Sequence, residues 1–456
     1  MSTDYVEPLP DSHPVTRVTI HGYCAVTYRL VNSIRGFSSS SRAVKRLIGT
    51  VVVGATVGAG LTAVAPAASA AEFYTPPARF STEPGSIIRS HHTPLLLQIP
   101  GIQQQWPGKA TKVMYTSRLQ DGAPVAVTGT AVEPTAAWAG AGPRPTVVVG
   151  PGTIGQGDQC APSKMMGLPM SVDLSKPSIG VNYTAPEMYY LLANGVRVFV
   201  TDYIGMGTPG IHTYVNRAET AHAMLDGARA ALNAAGAPGD TPIGFAGYSQ
   251  GGGAAAAAAE SASTYAPELN VKATYAGAPP ADLSKVIDTI DGTTIVGGIG
   301  FAINGLAARH PVIEKVVQAE TNAVGRAKFK QLSQQCIGDI IMSSPFQQTK
   351  DWTRSGKPLG TVIRQYPEIM EILEQNRIGQ LKPNAPVLVE GGTADDVIPY
   401  GQVATLVADW RKQGADVEFV TDSTPPILTK SIVNHVIPML ATLLPGMEFL
   451  LTQFRR

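Results

Sequence analysis

Residues 242–259 read PIGFAGYSQGGGAAAAAA: a β-type run, a Gly-Tyr-Ser-Gln-Gly corner, then a run of alanines. Gly247, Tyr248, Ser249, Gln250 and Gly251 fit the G-x-S-x-G elbow, a sharp strand-to-helix turn that lifts a serine hydroxyl above a sheet. The elbow backbone is strained. Side chains two positions either side of the serine would collide with the neighbouring strand and helix, so glycine is what those positions need. The pentapeptide alone is a weak signal, because a Gly-rich chain of this length holds one by accident at roughly 0.3 occurrences. Its surroundings strengthen it: residues 243–248 enter with strand character, and residues 252–259 leave with small helix formers that let a helix sit close under the sheet. Ser249 is the candidate nucleophile; the plain alternative is a Gly/Ser turn before an alanine helix.

Outward from the elbow, strand and helix patterns alternate. Residues 146–150, TVVVG, read as a strand buried on both faces, and residues 196–203 as the next strand, preceded by a helical segment at 188–194. A turn at 205–210 and a helix over 216–235 complete a βαβ unit with the elbow strand. Residues 275–278 form another strand end, and residues 112–115 and 125–132 read as antiparallel edge strands. Such alternation predicts an α/β fold, a mostly parallel, doubly wound sheet with helices on both faces. Between residues 281 and 384 the alternation stops and helix-like sequence takes over, which predicts an inserted cap between two core segments, 71–280 and 385–456. Residues 295–307 form either the inner face of that cap or the lining of a lipid-accepting cleft. The pattern resumes with a strand at 385–390, a helix at 400–413 and a strand at 417–420.

Composition narrows the class. With 456 residues, 44% hydrophobic and 15% charged, the chain can bury one large core with insertions. Lys+Arg number 35 and Asp+Glu 34, with no long charged block, so no nucleic-acid footprint and no polyanionic partner is indicated. The loop at 151–157, PGTIGQG, lacks the GK[ST] of a phosphate-binding loop. Residues 47–64 are apolar and uncharged, follow Arg42, Lys45 and Arg46, and lead into a small-residue site ending at Ala70. This predicts a secretory signal cleaved after Ala70, the alternative being a single membrane anchor of borderline length. Removal of residues 1–70 leaves no membrane span, and the expected location is extracellular, with the cell envelope as the alternative. Three cysteines lack any zinc spacing. Cys24 leaves with the leader, so Cys160 and Cys336 are the two that can pair in an oxidising compartment, against the alternative of two buried thiols.

A free serine hydroxyl is a poor nucleophile at neutral pH and needs a base. In the chain order of this elbow fold, serine, then Asp or Glu, then histidine, the histidine must follow the acid loop, and His435 is the one histidine that does. Asp395 and Asp396 compete for the acid, being adjacent and unable to face one imidazole together; Asp422, after another strand, is an outsider. The N–H of Gln250 is the first expected oxyanion donor, and the second comes from the loop around Thr153.

The chain resembles the secretory lipases of the Candida antarctica lipase A type, a group of α/β-hydrolases that includes exported actinobacterial lipases. The resemblance runs over residues 73–454. It rests on GPGTIGQGDQCAPS at 150–163, DYIGMGTPGIHTY at 202–214, GYSQGG at 247–252, AGAPPADL at 276–283, DDVIPY at 395–400, and His435 ahead of a C-terminal helix. It implies Ser249, Asp395 and His435 as the triad, because the family's acid stands four residues before a proline, here Pro399. It also implies a Cys160–Cys336 bridge from core to cap, while the family's further bridge near the C-terminus has no cysteines here. The second oxyanion donor is then Thr153 or Ile154. The implied activity is hydrolysis of acylglycerol esters with no metal or organic cofactor. Rivals are a short-chain or polyester esterase, an acyltransferase to alcohols, and a binding protein on a dead hydrolase fold, which predicts a missing triad member.

Overall fold

The computed structural model describes residues 72–95, 106–166, 170–173 and 178–456. The expected signal segment, 47–64, lies outside them. Eleven strands run in chain order: β1 (Ile87–Thr93), β2 (Gly108–Arg118), β3 (Pro124–Pro134), β4 (Thr146–Gly150), β5 (Met170–Asp173), β6 (Ser178–Val181), β7 (Arg197–Thr201), β8 (Ile243–Tyr248), β9 (Val271–Gly277), β10 (Val387–Gly392) and β11 (Val417–Asp422). Nine of them form one sheet in the order β1-β2-β3-β7-β4-β8-β9-β10-β11, and β5 and β6 pair as a separate hairpin. From β7 to β11 every pairing is parallel, whereas β1, β2 and β3 extend the sheet antiparallel at one edge. The β-branched runs explain the arrangement. β4, β7 and β8 are buried at every residue, as strands covered on both faces must be.

Helices α1 (Ala185–Ala193), α2 (Arg217–Ala235), α3 (Gln250–Tyr265), α11 (Tyr400–Lys412) and α12 (Val433–Phe454) cover the sheet, and seven further α-helices occupy the described stretch between Leu283 and Gln375. One face packs on α2 and α3 through Met224, Ala254, Ala255 and Ala258. The other packs on α1 and α12 through Leu191, Leu192, Met447 and Leu450. Local sequence sets the ends: the Asn216 side chain accepts from the Glu219 N–H to cap α2, and Gly236 closes that helix at φ 57°. Helix α3 lies close to the strands because it is built from Gly and Ala. A Cβ on Gly252 would stand 2.0 Å from the carbonyl oxygen of Gly277 on β9. Farther along α3, Glu260 is fully buried and pairs with Arg217 at 2.5 Å, which ties α3 to α2. Among the described residues, α12 is the one helix long and apolar enough to cross a membrane, yet it seals the sheet with Met447, Leu450, Leu451 and Phe454. The sequence reading put His435 ahead of this helix; it lies within its first turn, because Ile432 at φ 68° turns the chain and the helix starts at Val433.

The segment between β9 and β10 is helical: α4 (Leu283–Ile290), α5 (Gly297–Ala307), α6 (Pro311–Glu320), α7 (Ala323–Leu332), α8 (Ile337–Ser343), α9 (Leu359–Ile363) and α10 (Pro367–Gln375). Its attachment to the core is covalent as well as packed. Cys160, after β4, is bonded to Cys336, at the start of α8, across 176 residues. Around the disulfide the Gln156 N–H donates to Gln335 O and the Ile337 N–H to Ile154 O, so the loop after β4 pairs with the insertion as a short ladder. A cross-link of this kind contributes typically about 2–4 kcal/mol.

Candidate active site

Ser249 stands where β8 turns into α3, with φ 60° and ψ −122°, a conformation a non-glycine residue adopts only under constraint. The glycines around it supply the constraint. A Cβ on Gly251 would lie 1.9 Å from the Gly150 carbonyl oxygen, and one on Gly247 would lie 2.3 Å from the Gly251 oxygen. The Ser249 N–H donates to Gly277 O on β9, and the Ser249 carbonyl accepts from the Gly253 N–H, so the corner is fixed at both ends. Because α3 begins at Gln250, the first N–H groups of a 16-residue helix point toward the serine with a partial positive charge.

His435 and Asp395 meet across 40 residues of chain: the imidazole Nδ1–H donates to Asp395 Oδ2 at 2.7 Å, and both side chains are almost wholly buried. The second oxygen, Oδ1, accepts from the Val397 and Ile398 N–H groups at 2.8 and 2.9 Å. Together these donors hold the plane of the carboxylate. Asp396 turns the other way, accepting from the Lys430 N–H at 2.5 Å and from Asn434 Nδ2 at 3.2 Å. Asp422 accepts from the Thr424 N–H within its own turn. Tyr248, the residue before Ser249, donates its hydroxyl to the His435 carbonyl at 2.8 Å, which brings the histidine helix to the elbow. Among the described residues, no hydrogen bond joins the Ser249 hydroxyl to the imidazole.

Thr153 lies in the loop after β4, and its hydroxyl is 2.6 Å from the Tyr214 hydroxyl. Thr153, Ser249 and Gln250 line one cavity of about 1140 Å³, solvent at its mouth included; Ile154 does not line it and packs instead beside the disulfide. The remaining walls are mostly aliphatic and come mainly from the insertion, with Ile287, Ile299, Ile303 and Val317 among them. Two sequence motifs explain how the loop is held. Ser163 of CAPS donates its N–H and its hydroxyl to Asp202, at 2.8 and 2.5 Å, and Asp202 opens the DYIGMG segment.

Three buried groups near the site escaped the sequence reading. His212 is 1% exposed and shares a hydrogen bond of 2.9 Å with the Gln250 side chain; burial pushes its imidazole down to about 4. Glu390, on β10, has neither side-chain oxygen paired, and burial, reinforced by Asp395 and Asp422, pushes its carboxyl up to about 8. Burial likewise raises Glu187, on α1, to about 8. Only His212 sits in a motif, GIHTY, that could have drawn attention to it. The others lie in apolar runs that read as core. No group of three or more metal-ligating side chains occurs among the described residues.

A family model described as "Secretory lipase" matches residues 170–442. A probable inactive lipase of Mycobacterium tuberculosis is 28% identical over 360 residues, covering 77% of this chain and 76% of that one. A secreted triacylglycerol lipase of Malassezia globosa is 27% identical over 296 residues, covering 63% and 61%. In structure, the chain is similar to Candida antarctica lipase A, with a TM-score of 0.70, 23% identity, and 86% of each chain covered.

Proposed function

The chain belongs to the secretory lipase family of carboxylic ester hydrolases, and from that premise we propose that it cleaves acylglycerols through an acyl-enzyme on Ser249. His435 takes the serine proton and passes it to the leaving alcohol; in deacylation it takes a proton from the water that attacks the acyl carbon and gives it to Ser249 as the acid leaves, while Asp395 fixes the tautomer and stabilises the imidazolium. The N–H groups of Gln250 and Thr153 receive the oxyanion of the tetrahedral intermediate, assisted by the N-terminus of α3. The chain is exported, and its helical insertion acts as the cap over the cavity, receiving the acyl chain.

The observation that carries this reading is the 2.7 Å contact from His435 to Asp395 beside a strained serine that opens into an aliphatic cavity. A non-catalytic chain on this fold predicts the loss of a triad member; the presence of a serine at 249, an aspartate at 395 and a histidine at 435 supports the catalytic reading. The aliphatic walls favour acyl chains over short or polar acids. The test is hydrolysis of p-nitrophenyl esters from C2 to C16 by the secreted protein and by Ser249→Ala. Activity that rises with chain length and vanishes in the variant is expected. A peak at C2 to C4 reassigns the chain as a short-ester hydrolase, and activity surviving in Ser249→Ala removes the nucleophile.

A further inference from the structure

The segment joining β7 to α2 touches both residues assigned above to the oxyanion hole. His212 bonds the Gln250 side chain, and two residues later Tyr214 bonds Thr153. Gln250 and Thr153 come from different strand-to-loop crossings, after β8 and β4; those strands pair in parallel with Gly150 opposite Gly247, and the segment adds a side-chain tie beyond the strand ends. The segment itself is rigidly built: Tyr203 and Val215 both hold positive φ, and a Cβ on Gly205 would stand 2.1 Å from Ile211 O. The His212 ring stacks on Tyr203 at 5.6 Å between centroids and meets Tyr214 edge-on at 5.9 Å.

The chemistry of the imidazole fixes the direction of its bonds. His212 Nδ1 lies 3.1 Å from Ile204 O, and a carbonyl only accepts, so Nδ1 carries the proton. A buried neutral ring then offers Nε2 as an acceptor, and Gln250 must present its amide N–H to it. The amide is thereby oriented, and its Oε1 is left buried without a partner. A glutamine placed for its own hydrogen bonding would not leave that atom unpaired. The same segment is anchored from outside: Gln156 Nε2 donates to His212 O at 3.0 Å and to Phe301 O, on α5, at 2.9 Å.

We infer that His212 and Tyr214 are positioning residues that lock the two oxyanion donors against each other, His212 through the Gln250 side chain and Tyr214 through the Thr153 hydroxyl. Gln250 is the first residue of α3, so restraining its side chain restrains the peptide plane whose N–H receives the oxyanion. Tyr214 does the same for the loop carrying Thr153. This rests on the acyl-enzyme reading of Ser249.

Tyr214→Phe in the secreted full chain is the deciding variant, because it removes one hydroxyl and keeps the ring packing. His212→Phe is the companion. The readouts are kcat and KM for p-nitrophenyl octanoate, the Ki of an alkyl boronic acid that forms a tetrahedral adduct on the serine, and Tm. For Tyr214→Phe the expected result is a fall in kcat of about tenfold with an equal weakening of boronate binding, while KM and Tm hold. Adding Thr153→Val to Tyr214→Phe should cost no more than a further factor of about two, since the two hydroxyls act as one pair. For His212→Phe a fall of about 10-fold to 100-fold in both kcat and boronate affinity is expected. Unchanged kcat and boronate affinity in Tyr214→Phe overturns the inference, as does a kcat loss without a matching boronate loss. The reading beneath it fails separately, by Ser249→Ala remaining active.

Discussion

The elbow end of the sheet and the helical insertion both border the same cavity, and they are built on opposite terms. Around Ser249 the backbones touch: the carbonyls of Gly251, Gly150 and Gly277 come so close to Gly247, Gly251 and Gly252 respectively that a methyl group there has no room. Where the insertion lines the cavity the contacts are made mostly by aliphatic side chains, and Gly298 on α5 has ordinary room, its Cβ finding its nearest neighbour at 3.7 Å; close backbone approaches lie elsewhere in the insertion, as at Gly325 against Trp352 O. Backbone contact fixes geometry to a few tenths of an ångström but tolerates no substitution. Side-chain contact is adjustable, and it sets what fits rather than where the chemistry happens.

The sharpest way to break the contrast is at the acid. Asp395→Asn is expected to lower kcat by about 10⁴-fold, because the imidazole loses the carboxylate that selects its tautomer. Asp396→Asn, which alters contacts to the Lys430 N–H and Asn434 but none to the imidazole, should cost less than about tenfold. A large loss at Asp396 with little at Asp395 reverses the assignment; steady-state kinetics on one ester decides it.

Paired glycine substitutions probe the two regions directly. Gly251→Ala pushes a methyl into the Gly150 carbonyl and is expected to destabilise the fold by more than about 4 kcal/mol, seen as loss of soluble protein or a collapse of the denaturation midpoint. Gly298→Ala should be neutral or stabilising by up to about 1 kcal/mol, as helix propensity dictates where space is open. Equal effects at the two sites would mean that the two regions are packed alike.

The seam between the regions comes next. Cys336→Ser removes the only covalent tie among the described residues and should lower stability by about 2–4 kcal/mol in chemical denaturation, an effect that reductant reproduces in the parent protein.

Glu390 gives the smallest expected effect and the most specific signature. Its carboxyl titrates near 4.5 when unfolded and is pushed up to about 8 when folded, so between those values the folded state binds the extra proton. Stability therefore falls as pH rises from about 4.5 through about 8. Glu390→Gln, neutral throughout, should leave Tm nearly unchanged at pH 5 and raise it at pH 8, by at most a few kcal/mol in equivalent stability. A Tm difference independent of pH would mean the carboxyl is not held neutral.

Much of the fold could be read along the chain because its signals are local. TVVVG, the 196–203 run and the alanine helix each declare their burial through composition over five to ten residues, and the glycines of the elbow report a close approach without naming the partner. Chain order singled out His435. The resemblance to the secretory lipases, whose acid stands four residues before a proline, ranked Asp395 over Asp396; the residues alone left the pair tied, since adjacent aspartates look alike until the turn at 395–398 directs one carboxylate inward. The position of His435 within α12 was also misjudged by a few residues, because a positive φ at Ile432 is not a pattern that a sequence announces.

What the sequence by itself determined was the alternation of elements, the strained serine corner and the residue types available for acyl transfer, all consequences of nearest-neighbour sterics and periodicity. Only the tertiary structure decided which side chains meet: Asp395 with His435, His212 with Gln250, Tyr214 with Thr153, and the insertion's aliphatic faces with the cavity. Those pairs are separated by 38 to 61 residues, and a hydrogen bond's geometry at that range is set by the packing of the whole sheet, not by any stretch of chain.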